Sequence, residues 1–453
     1  MRGVSAEWIA GAVEGKLSAD PAITVTSVVK DSREVGEGAL YVALPGERVD
    51  GHEFVHAATA AGAVLHLVTQ PVREPHILVG DGAMALGLLA REYLKALKKT
   101  GGPIVVGVTG SVGKTTTKDL LAQLLPGVVV PVGSYNNEIG LPLTVLRADE
   151  STQNLVLEMG ASGVGHIAYL CGIAPPDIAV ALVVGTAHLG GYSSIEEVAR
   201  AKAEIVTGRA EGATVILNAD DPRAAAMAAL APGAIMFGID HGDVRAEGLR
   251  MEAGRARFVL ASGRERAEVA LRLAGKHNVT NALAAAAVAL SQGIGIDDVA
   301  VRLSEATAMS PHRMDIIERL DGVTIIDDTY NASPESMRAA FLALKEMATG
   351  RAVAVIGEML EMGPASIEAH EELGTLAVRL RLDGLVVVGA GTKAAYDAAV
   401  RDGFVGDAVL LASIEEADAF LEGALLPGDT VLVKSSHDSG LWRLADRLVG
   451  EAR

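Results

Sequence analysis

The sequence predicts an α/β protein of three domains: a small α+β domain, a central parallel-sheet domain around a phosphate-binding loop, and a doubly wound Rossmann-like domain. Three observations lead there. Short, almost wholly apolar runs alternate with helical patterns, the signature of parallel strands covered on both faces. A glycine loop with Lys-Thr, Gly107-Val-Thr-Gly-Ser-Val-Gly-Lys-Thr-Thr-Thr117, joins one such run to a helix. The chain's 453 residues exceed one ordinary core.

Residues 1–85 mix short strands and helices with turn signals at Pro45-Gly46 and Asp50-Gly51 and end in the strand His76-Ile-Leu-Val-Gly80. Residues 86–310 open in a long helix, Ala83 to Lys99, and continue with the strand Pro103-Ile-Val-Val-Gly107. Further strands are Asn154–Glu158, Ile178–Val184 and Thr214–Leu217. A polar-alternating hairpin region near Val244–Leu273 precedes an alanine-rich helix after Asn281. Residues 311–453 carry strands at Val323–Ile326, Ala352–Ile356, Leu385–Val388, Ala408–Leu411 and Thr430–Val433, with helices between them.

Composition narrows the function. Half the residues are apolar and only 3% aromatic, so the cores are built from Ala, Val, Leu and Ile. A net charge of −18 argues against general nucleic-acid binding, which needs a basic footprint. The single cysteine, Cys171, excludes an internal disulfide, and no Cys-His motif frames it, so it reads as a small buried residue. The N-terminus lacks a signal-peptide hydrophobic stretch, and the longest apolar run, Ala282–Leu290, is far short of a membrane span. A cytoplasmic protein, not integral to a membrane and monomeric, is expected.

The chemistry begins at Thr109, Gly110, Ser111, Val112, Gly113, Lys114, Thr115 and Thr116. Strand, glycine loop, Lys-Thr and helix turn backbone N–H groups around a polyphosphate at a helix N-terminus. Lys114 can reach the outer phosphates, and the hydroxyl of Thr115 or Thr116 can hold Mg²⁺. Val108 stands where the usual motif has its first glycine, so this is a narrower variant. Glu158 ends an apolar strand, where a carboxylate faces the ligand crevice and suits Mg²⁺. His188, in Gly185-Thr-Ala-His-Leu-Gly-Gly191, falls on the same side; imidazole is an unusual Mg²⁺ ligand and would sit among oxygens. Gly275-Lys-His-Asn-Val-Thr-Asn281 opens the alanine-rich helix; capping explains one of these residues but not Lys276, His277, Asn278 and Asn281 together. Amides at a helix start could read a base edge. Asp327-Asp-Thr-Tyr-Asn-Ala-Ser-Pro-Glu335 is a dense polar turn that could close on the phosphate loop. Lys202, within a helical pattern, reads from the residues alone as a solvated lysine.

This combination resembles the Mur ligases, ATP-dependent amide-forming enzymes of peptidoglycan synthesis. Thr109–Thr116, Glu158, His188, Ala201-Lys-Ala-Glu204, His277-Asn-Val-Thr-Asn281 and Arg313 occur in family order, and the likeness spans nearly the full length. Asp31-Ser-Arg33, Leu44–His52 and Asp327–Met337 imply UDP-N-acetylmuramoyl-tripeptide and D-Ala-D-Ala as substrates. The resemblance implies that Ser32, Arg33, Gly46, Asp50, Gly51 and His52 hold the UDP end. It implies two Mg²⁺ ions, served by Thr115, Glu158, His188 and Lys202, the last N6-carboxylated and thereby made anionic. Asn278 and Asn281 would approach the adenine of ATP, Arg313 its phosphates and Asp328 its ribose. Tyr330 and Asn331 would lie where nucleotide and acceptor meet. The implied reaction forms an acyl phosphate from the peptide carboxylate, which the dipeptide amine then attacks. Lys114, Glu158, His188 and Lys202 would carry the catalysis.

Two positions depart from the family pattern. His437 stands where an arginine is usual, in Lys434-Ser-Ser-His-Asp438, and His312 stands where glycine is usual before Arg313. A missing guanidinium removes a bidentate carboxylate clamp. A ligase for a different amine or carboxylate, or a nucleotide-binding subunit without acceptor chemistry, therefore stands as the alternative.

Overall fold

The computed structural model describes residues 1–46, 49–185, 192–252 and 254–450. The chain falls into two compact units: residues 1–109, 125–181 and 201–215, and residues 110–124, 182–200 and 216 onward.

The N-terminal sheet of the first unit holds strands β1 (Lys16–Ser18), β2 (Ser27–Val29), β3 (Ala39–Val42), β4 (Ala63–Val68) and β5 (His76–Leu78). They form one sheet in the order β1-β5-β4-β3-β2, parallel except for β1 against β5. Helix α1 (Gly82–Lys98) follows; the Asp81 carboxylate accepts from the Met84 N–H at its start, and Lys95 and Lys98 sit in its last turn, favourable at a negative dipole end. Strands β6 (Ile104–Thr109), β7 (Val128–Val129), β8 (Asn154–Glu158) and β9 (Ile178–Ala181) then pair in the order β9-β6-β8-β7, all parallel. β8 is buried at all five positions, which its apolar run requires.

The second unit holds α2 (Lys114–Leu124), which begins inside the glycine loop, and the start of α3 (Ile195–Thr207), which continues into the first unit. Strands β10 (Thr214–Asn218) and β11 (Ile235–Gly238) pair in parallel; β12 (Val244–Glu252) joins parallel to β11 and forms an antiparallel meander with β13 (Arg255–Ser262) and β14 (Glu265–Ala274). The alanine-rich helix α4 (His277–Ser291) starts four residues before Asn281, so Asn278 and Asn281 lie inside it rather than capping it.

Its last sheet contains β15 (Asp315–Glu318), β16 (Thr324–Asp328), β17 (Ala352–Ile356), β18 (Gly384–Val388), β19 (Asp407–Leu411) and β20 (Thr430–Lys434), in the order β15-β16-β20-β17-β18-β19. Only the edge strand β15, absent from the sequence reading, runs antiparallel. Helix α5 (Pro334–Met347) leaves β16 through a capping box of Ser333 and Ser336 with proline at its first turn, and α6 (Trp442–Val449) closes the chain. Strand alternation divides the core in two. Ile326, Ala354, Ile356, Leu385 and Leu432 face one helical layer; Ile325, Val353, Val355, Val386 and Val433 face the other. That two-sided burial is the doubly wound pattern the sequence predicted.

Candidate active site

In the second unit, the phosphate loop is shaped by its own backbone. Gly113 has φ +88°, which a side chain rarely adopts, and the Asn281 carboxamide occupies the place a Cβ would need. The Ser111 N–H donates to Val183 O at 2.7 Å, the Ser111 hydroxyl to Gly185 O at 3.0 Å, and Lys114 Nζ to Gly110 O at 2.6 Å. Asn281 donates to Asn278 Oδ1 at 2.9 Å and Asn278 to Ala274 O at 2.6 Å, so both buried amides brace the start of α4 against the loop. Thr115 is buried, at the first turn of α2. The hydroxyl, glycine cradle and helix N-terminus fit a polyphosphate with Mg²⁺.

Farther along α2, Lys118 pairs with Asp119 at 2.6 Å, and the Ser310 N–H and hydroxyl donate to Asp119 at 3.0 and 3.1 Å. All three residues are buried. This fastens the segment leading to β15 onto the helix that carries the loop.

The C-terminal ends of β16, β20 and β17 lie side by side, so their following loops converge. Between them is a cleft of about 300 Å³ lined by Tyr330, Asn331 and Ser333, by Glu361, and by Ser436, His437 and Asp438. Lys434, buried, donates to Asp328 Oδ2 at 2.6 Å and to Asn331 O at 2.7 Å, fixing the turn after β16. Asp327, fully buried, accepts from the Thr329 hydroxyl at 2.7 Å and lies 2.7 Å from His312 Nδ1. His312 has φ +63°, in the left-handed region that favours glycine; its ring contacts to Asp327 and Trp442 hold it there. Arg313 lies over the Tyr330 ring at 3.9 Å. Glu335, on the first turn of α5, packs against Gly185. His277 is half-buried; desolvation pushes its imidazole below the ordinary range, with the Asp328 carboxylate acting in the opposite direction.

In the first unit, Asp31 caps the short turn containing Ser32 and Arg33, and its carboxylate takes the Arg33 guanidinium at 2.5 Å. The Arg33 side-chain hydrogen bond holds the Asp31 carboxyl down at about 2. Gly46 donates to Val49 O at 3.1 Å and Gly51 to Leu44 O at 2.9 Å, closing their loop. His52 Nδ1 meets Asp50 Oδ1 at 2.6 Å, and its Nε2 accepts from the Thr69 N–H at 3.0 Å, which fixes a neutral tautomer with the proton on Nδ1. Lys30 lies over Tyr135 at 5.3 Å, and Gly160, two residues past Glu158, donates to Asn136 O at 2.8 Å. Tyr135 and Asn136 thus connect the Asp31 turn to the end of β8. The sequence reading missed them; the polar cluster Ser134-Tyr-Asn-Asn137 after a short strand was the available signal.

Glu158 is fully buried at the end of β8, paired in register with Val108. Lys202, which the residues alone cast as a solvated side chain, is instead 5% exposed on α3. His188 lies outside the described residues. Cys171 is buried, and burial pushes its thiol up to about 12, so it is inert as a nucleophile.

Comparison with known proteins agrees with this geometry. Three family models match in succession: the Mur ligase family catalytic domain over residues 24–99, the Mur ligase middle domain over 108–289, and the Mur ligase glutamate ligase domain over 312–437. The chain belongs to the Mur ligase family. Along 98% of its length it is 44% identical to the UDP-N-acetylmuramoyl-tripeptide–D-alanyl-D-alanine ligase of Mycobacterium tuberculosis, covering 97% of that protein. It is 32% identical to the enzyme of that name from Escherichia coli over 92% of both chains. Among solved structures it is similar to MurF from Acinetobacter baumannii (TM-score 0.89, 31% identity, 99% of each chain). It is also similar to MurF ligase from Thermotoga maritima in complex with ADP (TM-score 0.80, 33% identity, 93% of this chain and 96% of that one).

Proposed function

We propose that this protein is an ATP-dependent amide ligase that adds D-Ala-D-Ala to UDP-N-acetylmuramoyl-tripeptide, a step of peptidoglycan precursor synthesis in the cytoplasm. The observation that carries the reading is full-length similarity to ligases of that name, on a chain whose glycine loop is preformed. Residues 1–85 take the UDP end, through Ser32, Arg33, Gly46, Asp50, Gly51 and His52. Residues 86–310 bind ATP, and residues 311–453 form the ligase domain. The protein acts as a monomer.

The residues have distinct tasks in this reading. Backbone N–H groups of 110–116 surround the phosphates, and Lys114 neutralises charge as the γ-phosphoryl group passes to the peptide carboxylate. The resulting acyl phosphate loses phosphate when the dipeptide amine attacks its carbon. Thr115, Glu158, His188 and carboxylated Lys202 would hold two Mg²⁺ ions, which would supply charge neutralisation on the phosphates. Asn278 and Asn281 line the adenine side; Arg313 and Asp328 approach the phosphates and ribose. Tyr330 and Asn331, fixed by Lys434, position the acceptor.

The test is incubation with ATP, Mg²⁺, UDP-N-acetylmuramoyl-tripeptide and D-Ala-D-Ala, reading phosphate release and product mass. Dipeptide-dependent product is the expected result. Turnover only with other amines would overturn the acceptor assignment and keep the ligase chemistry.

A further inference from the structure

We propose that His437 is the residue that selects the incoming dipeptide by its free carboxylate. The inference rests on the ligase reading above and goes further, to the recognition of one group of one substrate.

A dipeptide acceptor is a zwitterion. The cleft at the ends of β16, β20 and β17 is lined by two carboxylates, Glu361 and Asp438, and by neutral Tyr330, Asn331, Ser333 and Ser436. Of its lining residues, His437 alone carries a side chain that can be cationic. A carboxylate entering this cleft is repelled by Glu361 and Asp438 and attracted by the imidazole, which offers an N–H donor in either tautomer and two when protonated.

The imidazole is also held in place. Its plane is stacked on Trp442, 10° from parallel with centroids 5.8 Å apart, and its other neighbour is Tyr330 at 5.6 Å. Tyr330 carries Arg313 on its face at 3.9 Å, and Trp442 meets His312, the residue before Arg313, at 6.2 Å. Arg313, Tyr330, His437, Trp442 and His312 therefore form a run of side-chain contacts, with His437 parallel-stacked on Trp442 and the other aromatic pairs tilted, closed into a ring through the backbone between residues 312 and 313. Such a ring restrains the imidazole at the cleft without using its ring nitrogens, which stay available to a ligand. Two arginines lie on these rings, Arg313 over Tyr330 at 3.9 Å and Arg443 over Trp442 at 5.2 Å, and neither is part of the cleft lining.

The experiment varies D-Ala-D-Ala and its C-terminal amide as acceptors for the full-length protein and for His437→Gln and His437→Arg. Losing one charge-assisted hydrogen bond corresponds to roughly a tenfold change in binding. His437→Gln should raise KM for the dipeptide about tenfold, leave kcat within about twofold, and leave KM for the amide unchanged. His437→Arg should restore the dipeptide KM. An equal effect of His437→Gln on both acceptors, or an effect on kcat alone, would overturn the assignment. Failure of the unsubstituted protein to turn over the dipeptide at all would remove the ligase reading itself, a distinct outcome.

Discussion

The glycine loop after β6 and the loop after β20 each turn a parallel strand into a helix, yet they are built by different means. The first is shaped chiefly by main-chain geometry, the φ of Gly113 and the Ser111 N–H on Val183 O, with one side chain, Lys114, turned back onto Gly110 O. The second is shaped by side chains: His437 against Trp442, Tyr330 against His437, Lys434 under Asn331. A backbone cradle needs only glycines and one turn of helix, and it suits any polyphosphate. A side-chain cradle changes with each substitution, and it can distinguish one acceptor from another. The difference places phosphate binding on the backbone and selectivity on the side chains.

The comparison can be broken at four points. Lys114→Ala removes the one charged side chain of the backbone-built loop; phosphate release should fall by about a hundredfold or more while binding of the UDP substrate, read by calorimetry, is retained. Loss of both would indicate misfolding. Asp119→Ala leaves Lys118 buried without its carboxylate and frees Ser310; about 3–5 kcal/mol of stability should disappear from the urea transition. A change under 1 kcal/mol would show that this segment is held elsewhere.

A smaller effect should come from His66, on β4 of the first unit. Burial lowers its imidazole to about 4, from an unfolded value near 6.5. Its folded pKa is depressed, so the unfolded state binds more protons between those values, and stability falls as pH drops from about 6.5 toward 4, by up to about 3 kcal/mol. His66→Leu should flatten that part of the pH–stability curve; an unchanged slope would assign it to other groups. Smallest is Trp442→Leu, which unstacks His437 and His312 at about 1 kcal/mol of stability. It should raise KM for the acceptor a few-fold and leave KM for ATP alone. Equal shifts in both would erase the distinction between the two loops.

Some of this was legible in the chain because it rests on local patterns. The runs at 154–158 and 352–356 are observed as strands with the same limits, and the wholly apolar runs of the last domain, with helices between them, predicted a sheet covered on both faces. The phosphate loop could be read because glycine positions and Lys-Thr are contiguous. The positive φ of His312 gives a physical reason for the glycine usual at that place.

What the sequence by itself determined is therefore the parallel strands with their covering helices and the phosphate loop, since each follows from spacing within a few residues. Tertiary structure decided the rest. The burial of Lys202, the edge strand β15, the bracing of Gly113 by Asn281, and the ring joining residues 312, 313, 330, 437 and 442 all depend on contacts between distant segments. No local periodicity records which strand ends become neighbours, and that adjacency brings His437 to a cleft with Tyr330.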